Sequence, residues 1–105
     1  MTDVITTPKI SFLVADDTMR EQPYRVIIEN DDITSMDFVV MILTGIFALG
    51  MDAAVAVMLA AHEHGEAVVT VLPYQEATDK VYAAHELARS NGFPLRFYLE
   101  PDGSA

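Results

Sequence analysis

Asn30, Asp31 and Asp32 follow one another in the stretch YRVIIENDDITSMDFVVMIL, residues 24–43, between two apolar segments. A second polar pair, His62 and His64, closes the apolar run AAVAVMLAAHEH. Four kinds of chemistry are open to these side chains. The plainest is a turn, since Asn and Asp bond nearby backbone groups and tolerate turn conformations. His62 would then be a partly buried imidazole bonded to backbone or water. A second is acid–base work by Asp31, Asp32 and His62 in a small acidic enzyme domain, although no nucleophile motif or phosphate loop accompanies them. A third is a metal site, which His nitrogen and carboxylate oxygen could ligate. His62 and His64 stand two apart, however, and point to different faces of a helix, so they cannot grip one ion unless the helix unwinds.

The fourth is a pocket for a cationic group beside an apolar one. Amide oxygen, carboxylate and neutral imidazole nitrogen are all acceptors, which an ammonium with three N–H donors requires. Methionines and aliphatic residues nearby would form an adaptable wall for a large side chain. The first residue of a protein supplies both groups at once.

The elements that must position these residues are legible from spacing. Tyr24 to Ile28 is rich in β-branched residues and reads as a strand that ends at Asn-Asp-Asp. Thr34 followed three residues later by Asp37 resembles a capping box, and Phe38, Met41, Ile42 and Ile46 recur at helical spacing, so a helix is predicted from about Ser35 to Ala48. Gly50 suits its C-terminal turn. Asp52 can cap a second helix, ending at Gly65, in which Val55, Met58, Leu59 and His62 share a face. Ala67 to Leu72 reads as a second strand stopped by Pro73. Gln75 to Ser90 comes next as a third helix with Ala77, Val81, Ala84 and Ala88 on one side and Asn91-Gly92 as its stop. Phe93 to Glu100 is the last strand, with Pro94 near its start. The order β-α-α-β-α-β predicts an α/β (α+β) sandwich, one small three-stranded sheet packed against three helices.

Composition narrows the partners. At 105 residues the chain accommodates one domain. Sixteen acids against six bases give a net charge of −10, which opposes nucleic acid and anionic membrane surfaces and favours basic or neutral partners. The absence of cysteine rules out disulfides and zinc-thiolate sites. The start, MTDVITTPKISFLV, lacks the basic region and long apolar run of a secretory signal. No segment is apolar over the roughly 18 to 20 residues that a membrane span needs. A cytoplasmic protein is expected. Within the first 22 residues, polar and proline-containing, Ile10 to Val14 (ISFLV) stands out as an extra edge strand or a short docking segment.

The stretches YRVIIENDDITSMDFVV, VMLAAHEHGEAVV, TDKV and FPLRFYLE, in that order, resemble the ClpS family, adaptors of the bacterial N-end rule (N-degron) pathway. The resemblance covers about residues 23–100, leaving 1–22 as an extension and 101–105 as a short tail. It implies an adaptor, not an enzyme and without a cofactor or metal, that captures proteins beginning with Leu, Phe, Tyr or Trp. Such an adaptor delivers them to the AAA+ unfoldase ClpA, or ClpC, partner of the ClpP peptidase. It also implies that Asn30, Asp31 and His62 hold the α-amino group and that Asp32 orients the loop. Ile28, Thr34, Met36, Val39, Met58, Ala61 and Leu95 would line the pocket, Gln75 and Lys80 would face the unfoldase, and the adaptor would be monomeric. Ala61 stands where many members carry valine, which implies a roomier pocket; Gln75 stands where glutamate is common.

Overall fold

A computed structural model of the chain describes residues 22–103. The Ile10–Val14 segment lies outside the described residues. Three strands and three helices occur in the expected order: β1 (Pro23–Glu29), α1 (Met36–Gly45), α2 (Met51–His64), β2 (Glu66–Pro73), α3 (Tyr74–Ser90) and β3 (Arg96–Pro101). The sheet order is β2-β1-β3 and both pairings are antiparallel. β1 is therefore the central strand, and the Asn-Asp-Asp loop leaves from the middle of the sheet.

Side-chain alternation along a strand divides the sheet into two faces. Val26 and Ile28 are buried under the helices with Phe38, Val39, Ile42 and Leu43 of α1 and Ala77, Ala84 and Ala88 of α3. Ile27 is buried on the other side of the sheet, opposite its cross-strand neighbours Val68 and Tyr98. A register shift at Val26/Ile27 inserts one extra β2 residue, and the residue it admits, Val69, joins the core on the helix side. Two ring pairs tie α1 and the segment after it to the third strand and its approach: Phe47, just past the helix, meets Phe97 at 5.2 Å, and Phe38 meets Phe93 at 4.8 Å. The second pair holds the loop ahead of β3 against the start of α1.

Several local expectations are corrected. Ser35, not Thr34, caps α1, its hydroxyl accepting the Phe38 N–H at 3.2 Å, because Thr34 spends its hydroxyl on Asp31. α1 ends at Gly45 rather than near Ala48, and the left-handed residue that closes this end is Ala48, at φ 60°. Gly50 is instead the N-cap of α2, which has no side-chain cap; Asp52 lies in the first turn. The buried side of α2 carries Ala54 and Ala61, with Val57 and Met58 partly buried, while Leu59 is 45% exposed. The stripe through Leu59 and His62 is thus rotated away from the core. On α1, Val39 and Leu43 take the inward positions and Met41 is 47% exposed. β3 starts at Arg96, after Pro94, since proline has no N–H for the ladder.

Lys80 of α3 reaches across to α1, where its ammonium donates to the carbonyl of Ile46 at 3.0 Å and stands 3.9 Å from Glu76. Ile46 is the C-cap of α1, so the lysine satisfies a helix-end carbonyl and places positive charge at the negative end of the helix. Lys80→Met keeps the aliphatic stem and removes the donor. It is expected to cost about 1 kcal/mol of stability, read as a lower urea midpoint with unchanged m-value. An unchanged midpoint would mean that water replaces the lysine without loss.

Candidate functional site

The loop that leaves β1 is shaped by one carboxylate. Asp31 Oδ1 accepts the N–H groups of Ile33 at 2.8 Å and Thr34 at 2.7 Å, and Oδ2 accepts the Thr34 hydroxyl at 2.8 Å. An Asp at the head of a turn can reach the second and third N–H groups beyond it, which is why this residue type closes such loops. Asp31 makes the bonds that close the loop; Asp32, expected to orient it, borders the same cavity and makes none of these bonds. Burial by itself would raise the Asp31 carboxyl. The bonds from the Thr34 N–H, the Ile33 N–H and the Thr34 hydroxyl together outweigh it and hold the group below the usual carboxylate range. A carboxylate offers about four acceptor positions and three are used. One acceptor direction on Oδ2 remains.

The neighbouring residue anchors the loop to α2. The Asn30 N–H donates to the Gly65 carbonyl at 2.9 Å. Gly65 is the left-handed C-cap of α2, φ 92°, a conformation glycine adopts without the strain of a side chain. This bond sets Asn30 beside the helix end that carries His62.

Between these elements lies a cavity of about 190 Å³. Its lining comprises Ile28 from β1, Met36 and Val39 from α1, Met58, Ala61 and His62 from α2, Leu95 from the loop before β3, and Glu29, Asn30, Asp31, Asp32 and Thr34 from the β1–α1 junction. Ile28, Val39, Ala61 and Leu95 are buried and make an apolar floor, whereas Met36 is 51% exposed at the mouth. His62 is exposed and is not a core imidazole. Every residue expected to hold the amine, orient the loop or line the pocket borders this one cavity. Cavities on the order of 150 Å³ accept a benzene molecule, so this one has room for a large apolar side chain. The polar groups gathered at one side of it are acceptors.

Glu29 was missed by sequence reasoning. It ends β1 next to Asn30, and its adjacency to the polar triplet was the available signal. Its carboxylate stands 3.8 Å from the Arg96 guanidinium across the strand pair. Gln75 and Lys80 lie outside the cavity, in the first turns of α3, where Gln75 donates to Asp79 at 3.1 Å. No group of three or more His, Cys, Asp or Glu side chains that could hold a metal ion is found among the described residues. None of the described helices is long and apolar enough to cross a membrane.

A model of the family described as "ATP-dependent Clp protease adaptor protein ClpS" matches residues 19–98. The chain is 41% identical over 88 residues to the ATP-dependent Clp protease adapter protein ClpS of Oleidesulfovibrio alaskensis, covering 84% of this chain and 85% of that one. It is 37% identical over 102 residues to adapter protein ClpS 2 of Mesorhizobium japonicum, covering 97% and 99%. Among solved structures it is similar to Agrobacterium tumefaciens ClpS2 bound to L-phenylalaninamide, with a TM-score of 0.74 and 38% identity over 79% of this chain and all of that one.

A carboxyl whose pKa is lowered in the folded state contributes stability above its unfolded value, about pH 3.9 for Asp, and that contribution fades as pH falls through the folded value. Urea midpoints measured between pH 2 and 7 should therefore show an acid-side loss in the parent that is smaller in Asp31→Asn, which is itself less stable at pH 7. Parallel curves for the two proteins would show that Asp31 does not stabilise the loop through its charge.

Proposed function

The chain belongs to the ClpS family of ATP-dependent Clp protease adaptor proteins, and from that premise we propose that its cavity seats the first residue of a protein to be degraded. The single observation that carries this reading is the shape of the cavity, an apolar floor with acceptors grouped on one rim. The side chain of an N-terminal Leu, Phe, Tyr or Trp enters between Ile28, Val39, Met58, Ala61 and Leu95, with Met36 and Thr34 at the mouth. Its free α-ammonium donates to Asn30, to the remaining acceptor of Asp31 and to a ring nitrogen of His62. Asp32 adds negative potential to the rim. The ligand of the Agrobacterium relative, L-phenylalaninamide, pairs a free amine with a benzyl group and supports this assignment.

The energetics explain why both groups are needed. Burying a Leu or Phe side chain contributes about 1.5 to 3 kcal/mol, and a shielded charge-assisted hydrogen bond about 1.5 to 3 kcal/mol. Internal residues lack the ammonium, and small N-terminal residues lack the burial. Each falls short by one of these two contributions. Ala61 removes two methyl groups from the wall relative to valine, which favours the wider side chains.

In this reading the protein is a monomeric cytoplasmic adaptor and catalyses nothing itself. Residues 23–100 form its core, 1–22 an extension that acts in delivery, and 101–105 a tail. It hands its cargo to a ClpA or ClpC hexamer, partner of ClpP, through the face of α3 that carries Gln75 and Lys80. Its net charge of −10 turns it away from nucleic acid.

Fluorescence anisotropy with short peptides tests capture. Peptides that begin with Phe, Leu, Tyr or Trp should bind, and Val-first, Met-first and N-acetylated copies should bind at least tenfold more weakly. His62→Ala and Asn30→Ala should each weaken Phe-peptide binding at neutral pH. Equal binding of acetylated peptides would refute the ammonium site.

Delivery is tested separately. Lys80→Ala should weaken association with the unfoldase hexamer while Phe-peptide affinity holds, at a temperature where the variant is fully folded. Hexamer binding equal to the parent's would confine Lys80 to its bond with Ile46.

A further inference from the structure

A second cavity, of about 430 Å³ and more open than the first, lies between the end of α3 and the chain that enters β3. It is lined by His85, Arg89, Phe93, Pro94, Leu95 and Arg96. Leu95 is the wall it shares with the first cavity. The basic side chains of the described residues, histidines aside, are Arg25, Lys80, Arg89 and Arg96, and two of these four border this one cavity. Arg25 and Lys80 are engaged elsewhere, with Glu100 at 2.9 Å and with Ile46.

The two arginines keep donors available. Arg89 bonds Glu86 at 2.6 Å through one of its terminal nitrogens, and a guanidinium carries five N–H donors. Arg96 faces Glu29 at 3.8 Å, longer than a charge-assisted hydrogen bond, and its side chain is 77% exposed. His85 supplies a further polar position. Its Nε2 accepts the Phe97 N–H at 2.9 Å, which leaves Nδ1 as the ring's N–H donor. Burial, with the charges of Arg96 and Arg89, holds the imidazole below its usual range. The cavity therefore combines apolar contact from Phe93, Pro94 and Leu95 with donors suited to a carboxylate.

We propose that this second cavity receives the third to fifth residues of the captured chain and that the protein prefers an acidic side chain there. The inference rests on the proposed use of the first cavity. A peptide anchored there by its first residue advances about 3.3 to 3.6 Å per residue when extended, so a few residues carry it across Leu95. Charge should then be read by position. The rim of the first cavity carries Glu29, Asp31 and Asp32 and opposes an acid at the second residue. The arginines beyond Leu95 favour one further on. In a chain of net charge −10, this cavity is where an acidic segment meets attraction.

The test is a set of Phe-first peptides, alanine elsewhere, with Asp or its neutral isostere Asn placed in turn at positions 2 to 6, measured against the full chain at about 50 mM and about 1 M salt. At low salt, Asp at one or more of positions 3 to 5 should bind about two- to fivefold tighter than Asn, the range expected of exposed ion pairs. The advantage should vanish at high salt. In Arg89→Gln and Arg96→Gln, checked for fold by circular dichroism, the Asp-to-Asn ratio should fall toward one. Asp binding no tighter than Asn at positions 3 to 5 overturns the proposal while leaving the first cavity's reading intact, as does a preference that survives when Arg89→Gln and Arg96→Gln are combined in one chain. If no Phe-first peptide binds at all, the reading of the first cavity has failed and this one falls with it.

Discussion

The geometry of the site depends on the carboxylate of Asp31. A strand buried on both faces, with its ends paired on both sides, must give way to a helix within six residues, and the turn between them has backbone N–H groups that neither ladder nor helix can satisfy. Asp31 accepts two of them and the Thr34 hydroxyl as well. That closes the loop tightly enough for Ser35 to cap α1 and for the first turn of the helix to border the same cavity as Ile28. The same closure presents Asn30, Asp31 and Asp32 on one side of the cavity. The bond from Asn30 to Gly65 then fixes this edge to the helix end carrying His62. Loop and cavity rim are one structure, so the residues that make the turn also border the cavity. The plain turn and the proposed cation pocket, alternatives on sequence alone, are compatible in the same atoms.

Most of the architecture was legible because three signals agreed: β-branched runs for the strands, apolar residues at helical spacing, and glycine or proline at the breaks. The errors cluster where a residue had two possible partners. Thr34 looks like a cap from its spacing to Asp37, but Asp31 captures its hydroxyl first, and the next hydroxyl takes the role. On α2, alanine-rich sequence blurs which face is apolar, and the helix buries its smallest residues, Ala54 and Ala61, where it packs close to the sheet. Leu59 and His62 are thereby turned outward. For His62 this rotation separates a core imidazole from one at a pocket mouth, and a stripe drawn on sequence could not supply it. Among the pocket-lining residues, those matched through family motifs converge on the first cavity. Glu29 and Arg96 escaped notice because their proximity comes from antiparallel register, which has no local sequence signature.

Charge is distributed so that the chain's acidity serves the rim without spoiling the floor. Glu29, Asp31 and Asp32 border the cavity while Ile28, Val39, Ala61 and Leu95 are buried. A free carboxylate pointed into an apolar floor would cost several kcal/mol in desolvation. Here the most constrained acid, Asp31, has its oxygens occupied by donors on the loop side. A diffuse acidic surface would attract any cation. In the proposed reading, a rim that borders an apolar floor selects a cation attached to a large apolar group.

In the proposed reading the domain holds cargo and partner at once, and α1 lies between the two surfaces. Met36 and Val39 belong to the first turn of the helix and border the pocket. Its last carbonyls lie at the other end, where Lys80 of α3 donates to Ile46. Ten residues of α-helix at about 1.5 Å per residue span roughly 15 Å, which separates the pocket from the proposed docking face by more than the width of a side chain. Phe38 against Phe93 and Phe47 against Phe97 clamp the helix near both ends. In the proposed reading a partner can then press on α3 without closing the pocket, because the helix between the two surfaces is held at its start by Phe93 and just past its end by Phe97.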